Sequence, residues 1–316
     1  MKDGSVAIAS TSTKTPNFLI IGAAKSGTTA IWHYLKQHPQ IYMSSRKHTR
    51  FFAYKVENPH FRGPGPTSPT LPYAIADIEA YYTLFDEVTD EVAVGEASHS
   101  YLYRPEAPER IRRYASDMKL IAVLRNPAER AYSHHGQMVR NGRERITDFA
   151  LALEKEEARI RDNWWPEFHY VKVGLYHAQL RRYFDLFERD QIKVYLYEDL
   201  KHDPLGMLQD IFRFLGTDDT SVPNVTIKYN AAGFPRNNAL HRALQELRRV
   251  RPAAEQLLPN KHYQSLLRIG GALHNQNLAA KRLSPGVRRR VIDTYFREDI
   301  LELESLIQRD LSAWLE

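Results

Sequence analysis

The chain has no cysteine among its 316 residues. That removes disulfides, thiolate nucleophiles and Cys-ligated zinc or iron–sulfur centres from consideration. Long apolar runs are also missing. The longest near the N-terminus, Phe18 to Ala24, falls far short of the roughly 20 residues that cross a bilayer. Residues 1–17 are polar, without the apolar core of a secretory peptide. They are expected to form a flexible leader, and the chain is expected to be cytoplasmic with no membrane partner. Charge of one sign is scarce too: 44 Lys and Arg against 38 Asp and Glu leave +6. So small and dispersed a surplus suits an anionic ligand. It supplies no basic stripe with interleaved aromatics, so no nucleic-acid partner is expected. What is present, 43% hydrophobic residues, is enough for a sizeable core. Residues 18–316 are read as one domain.

Four short apolar runs read as buried strands: Phe18–Ile21, Val92–Gly95, Leu120–Leu124 and Ile192–Leu196. Between and after them, apolar residues at helical spacing predict helices over Thr28–His38, Ile78–Phe85, Arg104–Ser116, Ala128–Val139 and Tyr176–Arg189. Further helices are predicted at Leu205–Leu215, Leu240–Val250 and Pro285–Leu315. Pro59–Pro72 and Tyr229–Asn238 read as loops. Alternation of this kind predicts an α/β fold: a central parallel sheet flanked by helices, with a mainly helical C-terminal third.

The sharpest local signal is Gly22-Ala23-Ala24-Lys25-Ser26-Gly27-Thr28-Thr29, set between a strand and a helix. Glycines let the backbone turn so that N–H groups and a helix N-terminus converge on an anion. The frame is that of a nucleoside-triphosphate loop, yet that motif needs Lys directly after the second glycine, where Thr28 stands. Lys25 lies inside the loop instead, where it can neutralise charge growing on a leaving phosphate. A second signal, Leu124-Arg125-Asn126-Pro127-Ala128-Glu129-Arg130-Ala131-Tyr132-Ser133, follows another strand. Arg125 leaves the strand end, where open α/β sheets bind ligands, and can fork two N–H bonds onto a phosphate. Ser133, about two turns on, can point back to the same anion.

Together these segments resemble the sulfotransferases that use 3′-phosphoadenosine 5′-phosphosulfate (PAPS), in the bacterial and carbohydrate-type branch with a P-loop-like fold. The first motif resembles the family's 5′-phosphosulfate loop and the second its 3′-phosphate segment. The resemblance implies that Lys25, Ser26, Gly27, Thr28, Thr29, Arg125 and Ser133 hold the donor and its product PAP. Val194-Tyr195-Leu196-Tyr197-Glu198-Asp199-Leu200 resembles the family's strand-end Tyr-Glu-Asp element, which would put Tyr197 near the adenine. Lys228-Tyr229-Asn230-Ala231-Ala232-Gly233-Phe234-Pro235-Arg236 is similar to a late loop that closes over the donor, making Lys228 and Arg236 candidates for the 3′-phosphate. No metal is implied.

Two departures concern proton transfer. Where the carbohydrate branch reads Lys-Glu-Pro-x-Phe-Phe with Glu as base, this chain has Lys47-His48-Thr49-Arg50-Phe51-Phe52. An imidazole titrates near neutrality and can take the proton itself. His99, in Gly95-Glu96-Ala97-Ser98-His99-Ser100-Tyr101, falls where the cytosolic branch carries its catalytic His. His48 and His99 are therefore rival or joint bases, with Glu96 placed to orient either ring. Ala97 stands at a family lysine, a loss for which Lys47 is the candidate substitute at the substrate. His134 and His135 are expected on the surface.

The expected acceptor is a small molecule or glycoside bearing a hydroxyl or an amine. Pro59–Pro72 and the aromatic stretch Asn163–Tyr170 are expected to border its cleft, with Trp165, Phe168 and Tyr170 exposed to it. Two alternatives stay open: a degenerate PAP- or nucleotide-binding protein, and a P-loop kinase-like enzyme. Oligomeric state is also open, a homodimer included.

Overall fold

The computed structural model describes residues 15–65, 73–227, 234–235, 237, 240, 278–279 and 282–316. Its centre is a five-stranded sheet in the order β2-β3-β1-β4-β5, every pairing parallel. The strands are β1 (Phe18–Gly22), β2 (Ile41–Met43), β3 (Ala93–Ala97), β4 (Lys119–Leu124) and β5 (Ile192–Leu196). The expected α/β class is thus found. β2, missed in the sequence, has only three residues, too few to show a period.

Both faces of the sheet are covered, as parallel sheets require. Phe18 and Ile20 of β1, with Ile121 and Val123 of β4, meet Ile31 and Leu35 of the helix Thr28–Leu35 and Ile211 and Phe212 of the helix Pro204–Leu215. Leu19, Ile21, Leu120, Ala122 and Leu124 point the other way, into a larger cluster with Tyr101, Tyr176 and Phe296. Each fully buried Leu, Ile or Phe contributes roughly 1.5–3 kcal/mol, so the two faces together fix β1 and β4 as the rigid middle of the molecule. Gly95 has no side chain for a packing reason: a Cβ there would lie 2.4 Å from the Phe18 ring on the neighbouring strand.

Several predicted helices shorten or divide. Arg104–Ser116 becomes Ala107–Tyr114, and Tyr176–Arg189 stops at Phe184. Pro285–Leu315 is three helices, Pro285–Tyr295, Arg297–Ile307 and Ser312–Leu315. Phe149–Glu154, Glu156–Arg161 and Tyr197–His202 are helices the periodicity did not reveal, each of only six residues. The Leu240–Val250 prediction lies outside the described residues apart from residue 240.

Candidate active site

All five strands are parallel, so their C-terminal ends share one edge, and each end delivers a segment singled out above. β1 runs into the Ala23–Gly27 loop, β2 into Lys47 and His48, β3 into His99, β4 into Arg125 and β5 into Tyr197. Strand order reverses about β1, which opens the crevice where such sheets bind ligands.

The loop after β1 turns through left-handed backbone at Lys25 (φ 69°) and Gly27 (φ 93°). Gly27 is required twice over, because a Cβ would also sit 2.5 Å from the Leu200 side chain. The helix Thr28–Leu35 starts at once, so its unpaired N–H groups face the loop. Arg125 comes to the same place: its guanidinium Nη1 lies 3.5 Å from the Lys25 carbonyl oxygen. It stacks 4.8 Å over the Tyr197 ring and pairs with Glu129 at 3.0 Å. Tyr197 in turn borders Gly27. Lys25, Arg125 and Tyr197 are thus neighbours in one crevice, with Ser26 buried beneath them and Ser133 half-buried on the helix Pro127–Arg140. Lys228 and Arg236 lie outside the described residues.

The turn after β4 is held from three sides. Asn126 caps its helix by accepting from the Glu129 N–H (3.1 Å), and its side-chain amide donates to the Trp314 carbonyl (3.1 Å). The Tyr176 hydroxyl donates to the Arg125 carbonyl at 3.0 Å.

Cationic crowding defines the electrostatics. Burial, then Arg140, Arg125 and Arg130, brings Lys25 down to about 8. Lys47 was expected at the acceptor but reaches back to the loop, with Nζ 2.5 Å from Thr29 Oγ1 and 3.4 Å from Thr28 Oγ1. Burial and the nearby Lys25 charge lower it to about 7. Lysines held this low are short of a counter-ion, and an anion between them would restore both.

On the β3 side the two histidines meet. The chain beyond β2 continues along β3: the His48 N–H donates to the Ala97 carbonyl (2.9 Å) and the Arg50 N–H to Ser98 Oγ (3.1 Å). This brings the His48 and His99 rings to 4.4 Å between centroids, tilted by 53°. Burial first, and the neighbouring cations after it, keep both imidazoles well below their usual value and hence neutral. A neutral imidazole has one nitrogen free to accept a proton.

Glu96 does not orient either ring. Its carboxylate is fully buried and accepts from Thr49 (3.0 Å), Ser98 (3.0 Å) and the Tyr101 hydroxyl. Burial raises it to about 7, against the pull of those hydroxyls. Thr49, at the family's proline position, is therefore one of the donors this carboxylate uses. Ala97 packs in the core instead of facing the crevice.

Beyond the imidazoles a narrow cleft is lined by His99, His134, Tyr54, Tyr73, Tyr103 and Glu167 among others. Here several expectations need correction. Phe168 and Tyr170 are completely buried and Trp165 packs on Phe61 and Tyr73, so the aromatic stretch reaches the cleft through Pro166 and Glu167. His134 and His135 are buried as well, not on the surface. Position along the helix could have flagged His134: it lies one turn after Arg130, on the inward face of the same helix. Among the described residues no cluster of His, Asp and Glu could hold a metal ion.

The fold and crevice define a P-loop-like α/β protein that crowds cations at one end of its sheet beside a neutral imidazole pair. The chain belongs to the sulfotransferase family, whose sulfotransferase domain matches residues 15–246. The solved structure of a sulfotransferase from Alicyclobacillus acidocaldarius is 35% identical and superposes with a TM-score of 0.74, covering 96% of this chain and all of that one. Human heparan sulfate glucosamine 3-O-sulfotransferase 3B1 is 28% identical over 201 residues, 64% of this chain and 46% of its own. The membrane-associated sulfotransferase kil1 of Dictyostelium discoideum is 32% identical over 123 residues, 38% of this chain and 22% of its own. The chain therefore spans less than half the length of these two relatives. The cytoplasmic expectation does not stand, because relatives of this domain include a membrane-associated enzyme. Its premises, a polar leader and no cysteine, describe folding chemistry and do not fix a compartment. Among the described residues no helix is long and apolar enough to cross a membrane.

Proposed function

We propose that this sulfotransferase moves a sulfuryl group from PAPS to a hydroxyl, or an amine, of a small-molecule or glycoside acceptor. The observation that carries the reading is the meeting of two strand-end cations at one crevice, Arg125 Nη1 lying 3.5 Å from the Lys25 carbonyl. A nucleotide with phosphates at both ends of its ribose needs two such anion sites in reach of each other. Ser26, Gly27, Thr28 and Thr29 would hold the 5′ end with Lys25 and Lys47. Arg125 and Ser133 would take the 3′-phosphate and Tyr197 the base.

In-line displacement at sulfur forms one bond, from the acceptor oxygen, and breaks one, to the bridging phosphate oxygen. The electron pair of the broken bond stays on that phosphate, where Lys25 stabilises it. The acceptor proton goes to His99, which faces the cleft; His48 lies against its ring and is the supporting imidazole. Neutral imidazoles suit this task, and the incoming anionic donor raises their basicity. Isothermal titration tests the reading. PAP should bind without a metal ion, and Lys25→Ala should weaken binding and lower transfer about 10²–10³-fold. ATP binding with Mg²⁺ in place of PAP would refute it.

A further inference from the structure

The cleft beyond His99 carries a feature that sulfuryl transfer leaves unused. Glu167 lines it, with a side chain only 17% exposed. One carboxylate oxygen, Oε1, is committed: it accepts from the Tyr73 hydroxyl at 2.9 Å and lies 3.6 Å from Arg50 Nη2. The other, Oε2, is buried and has no partner. Arg50 is the ion-pair partner of Oε1 and is held in place by donating to the Tyr73 carbonyl at 2.8 Å and stacking 3.9 Å over the Tyr73 ring, which leaves Oε2 unpartnered. An unpaired buried carboxylate oxygen is costly, and a ligand that donates to it relieves that cost. His134, more than nine-tenths buried and with Nδ1 unpartnered, lines the same cleft. The remaining walls named above are the rings of Tyr54, Tyr73 and Tyr103.

We infer that Glu167 is a specificity-determining residue: its free oxygen takes a hydrogen bond from a second donor group on a compact, ring-bearing acceptor that is neutral or cationic, and its charge turns anionic acceptors away. The inference rests on the sulfuryl-transfer reading and narrows it. The three tyrosine rings give a flat acceptor its contact area. Glu167 fixes which end points outward, leaving the reactive hydroxyl at His99. Specificity of this kind has an attractive and a repulsive half, and one carboxylate provides both.

The test measures binding of probe acceptors to the PAP-loaded protein, which needs no turnover. The probes are 4-hydroxybenzyl alcohol, tyramine, 4-hydroxybenzoate and a heparan sulfate oligosaccharide, each read by saturation-transfer NMR and titration. The alcohol and the amine should bind at least about tenfold more tightly than the benzoate or the oligosaccharide. Glu167→Gln keeps an acceptor for Tyr73 but loses the charge, so it should bring the amine-to-benzoate ratio down about tenfold or more while leaving PAP affinity and Tm in place. Equal or tighter binding of the anionic probes, no binding of any small phenol, or an unchanged ratio in Glu167→Gln would each overturn the inference. In all three cases intact PAP binding leaves the transfer reading standing. Failure of PAP itself to bind sinks that reading, and this inference with it.

Discussion

The two halves of the crevice are built on opposite principles. On the β1, β4 and β5 side, cations are crowded and underpaired: Lys25 is brought down to about 8, and Lys47 beside it to about 7. On the β3 side the groups nearest the strand end are held neutral or enclosed: two half-buried imidazoles, and a carboxylate raised to about 7 within a ring of hydroxyls. One half waits for charge that a ligand must bring. The other holds its two imidazoles uncharged and confines its charges to the Arg50–Glu167 pair further along the cleft. A single sheet edge sustains both because adjacent parallel strands end within one crevice while each turn places its own side chains.

The largest expected effect breaks the neutral half. His99→Ala should lower kcat about 10²–10⁴-fold with little change in PAP affinity, whereas His48→Ala should cost about tenfold or less. Comparable losses in both variants would mean that the proton has no single destination. Next comes the cationic half, where Lys25→Ala should lose about 10²–10³ in kcat and, unlike His99→Ala, also weaken PAP binding.

A smaller effect sharpens the contrast through pH. In the free protein Lys47 and Lys25 lose protons near 7 and 8, and a bound anion raises both. Binding should therefore take up protons between about pH 7 and 9. PAP affinity should be level below about pH 7 and decline as pH climbs above it. Calorimetry in buffers of different ionisation enthalpy reads the uptake directly, and Lys47→Met should remove its lower-pH part. The smallest effect belongs to Glu96. Its folded value near 7 lies above the ordinary 4.5, so the native state binds the extra proton between those limits and stability falls as pH rises through them. Glu96→Gln should flatten that decline in chemical denaturation at pH 5 and pH 8.

The cationic half was the legible half. Its residues sit in contiguous motifs, because a phosphate loop is made by neighbours in sequence: Gly22 to Thr29 forms one turn, and Arg125 with Asn126 and Pro127 another. The other half is assembled from side chains far apart in the chain. Glu167 reaches the cleft from a short 3₁₀ turn, and its neighbour Phe168 turns into the core. No period announces which of the two faces inward. The partners of Glu96 are its sequence neighbours Ser98 and Tyr101 together with Thr49, 47 positions away, whose hydroxyl only the fold brings to it. The reach of Lys47 across to Thr29 is not legible in the sequence because it depends on β2, a strand too short to recognise.

The Asn126–Trp314 hydrogen bond spans 188 positions, and Asp299 accepts at 2.7 Å from the backbone N–H of Tyr176, the residue whose hydroxyl donates to the Arg125 carbonyl. The final helices thus work as a buckle on the β4 turn. Deletion from residue 311 should therefore weaken PAP binding, read by titration, while leaving every residue of the phosphate loop untouched.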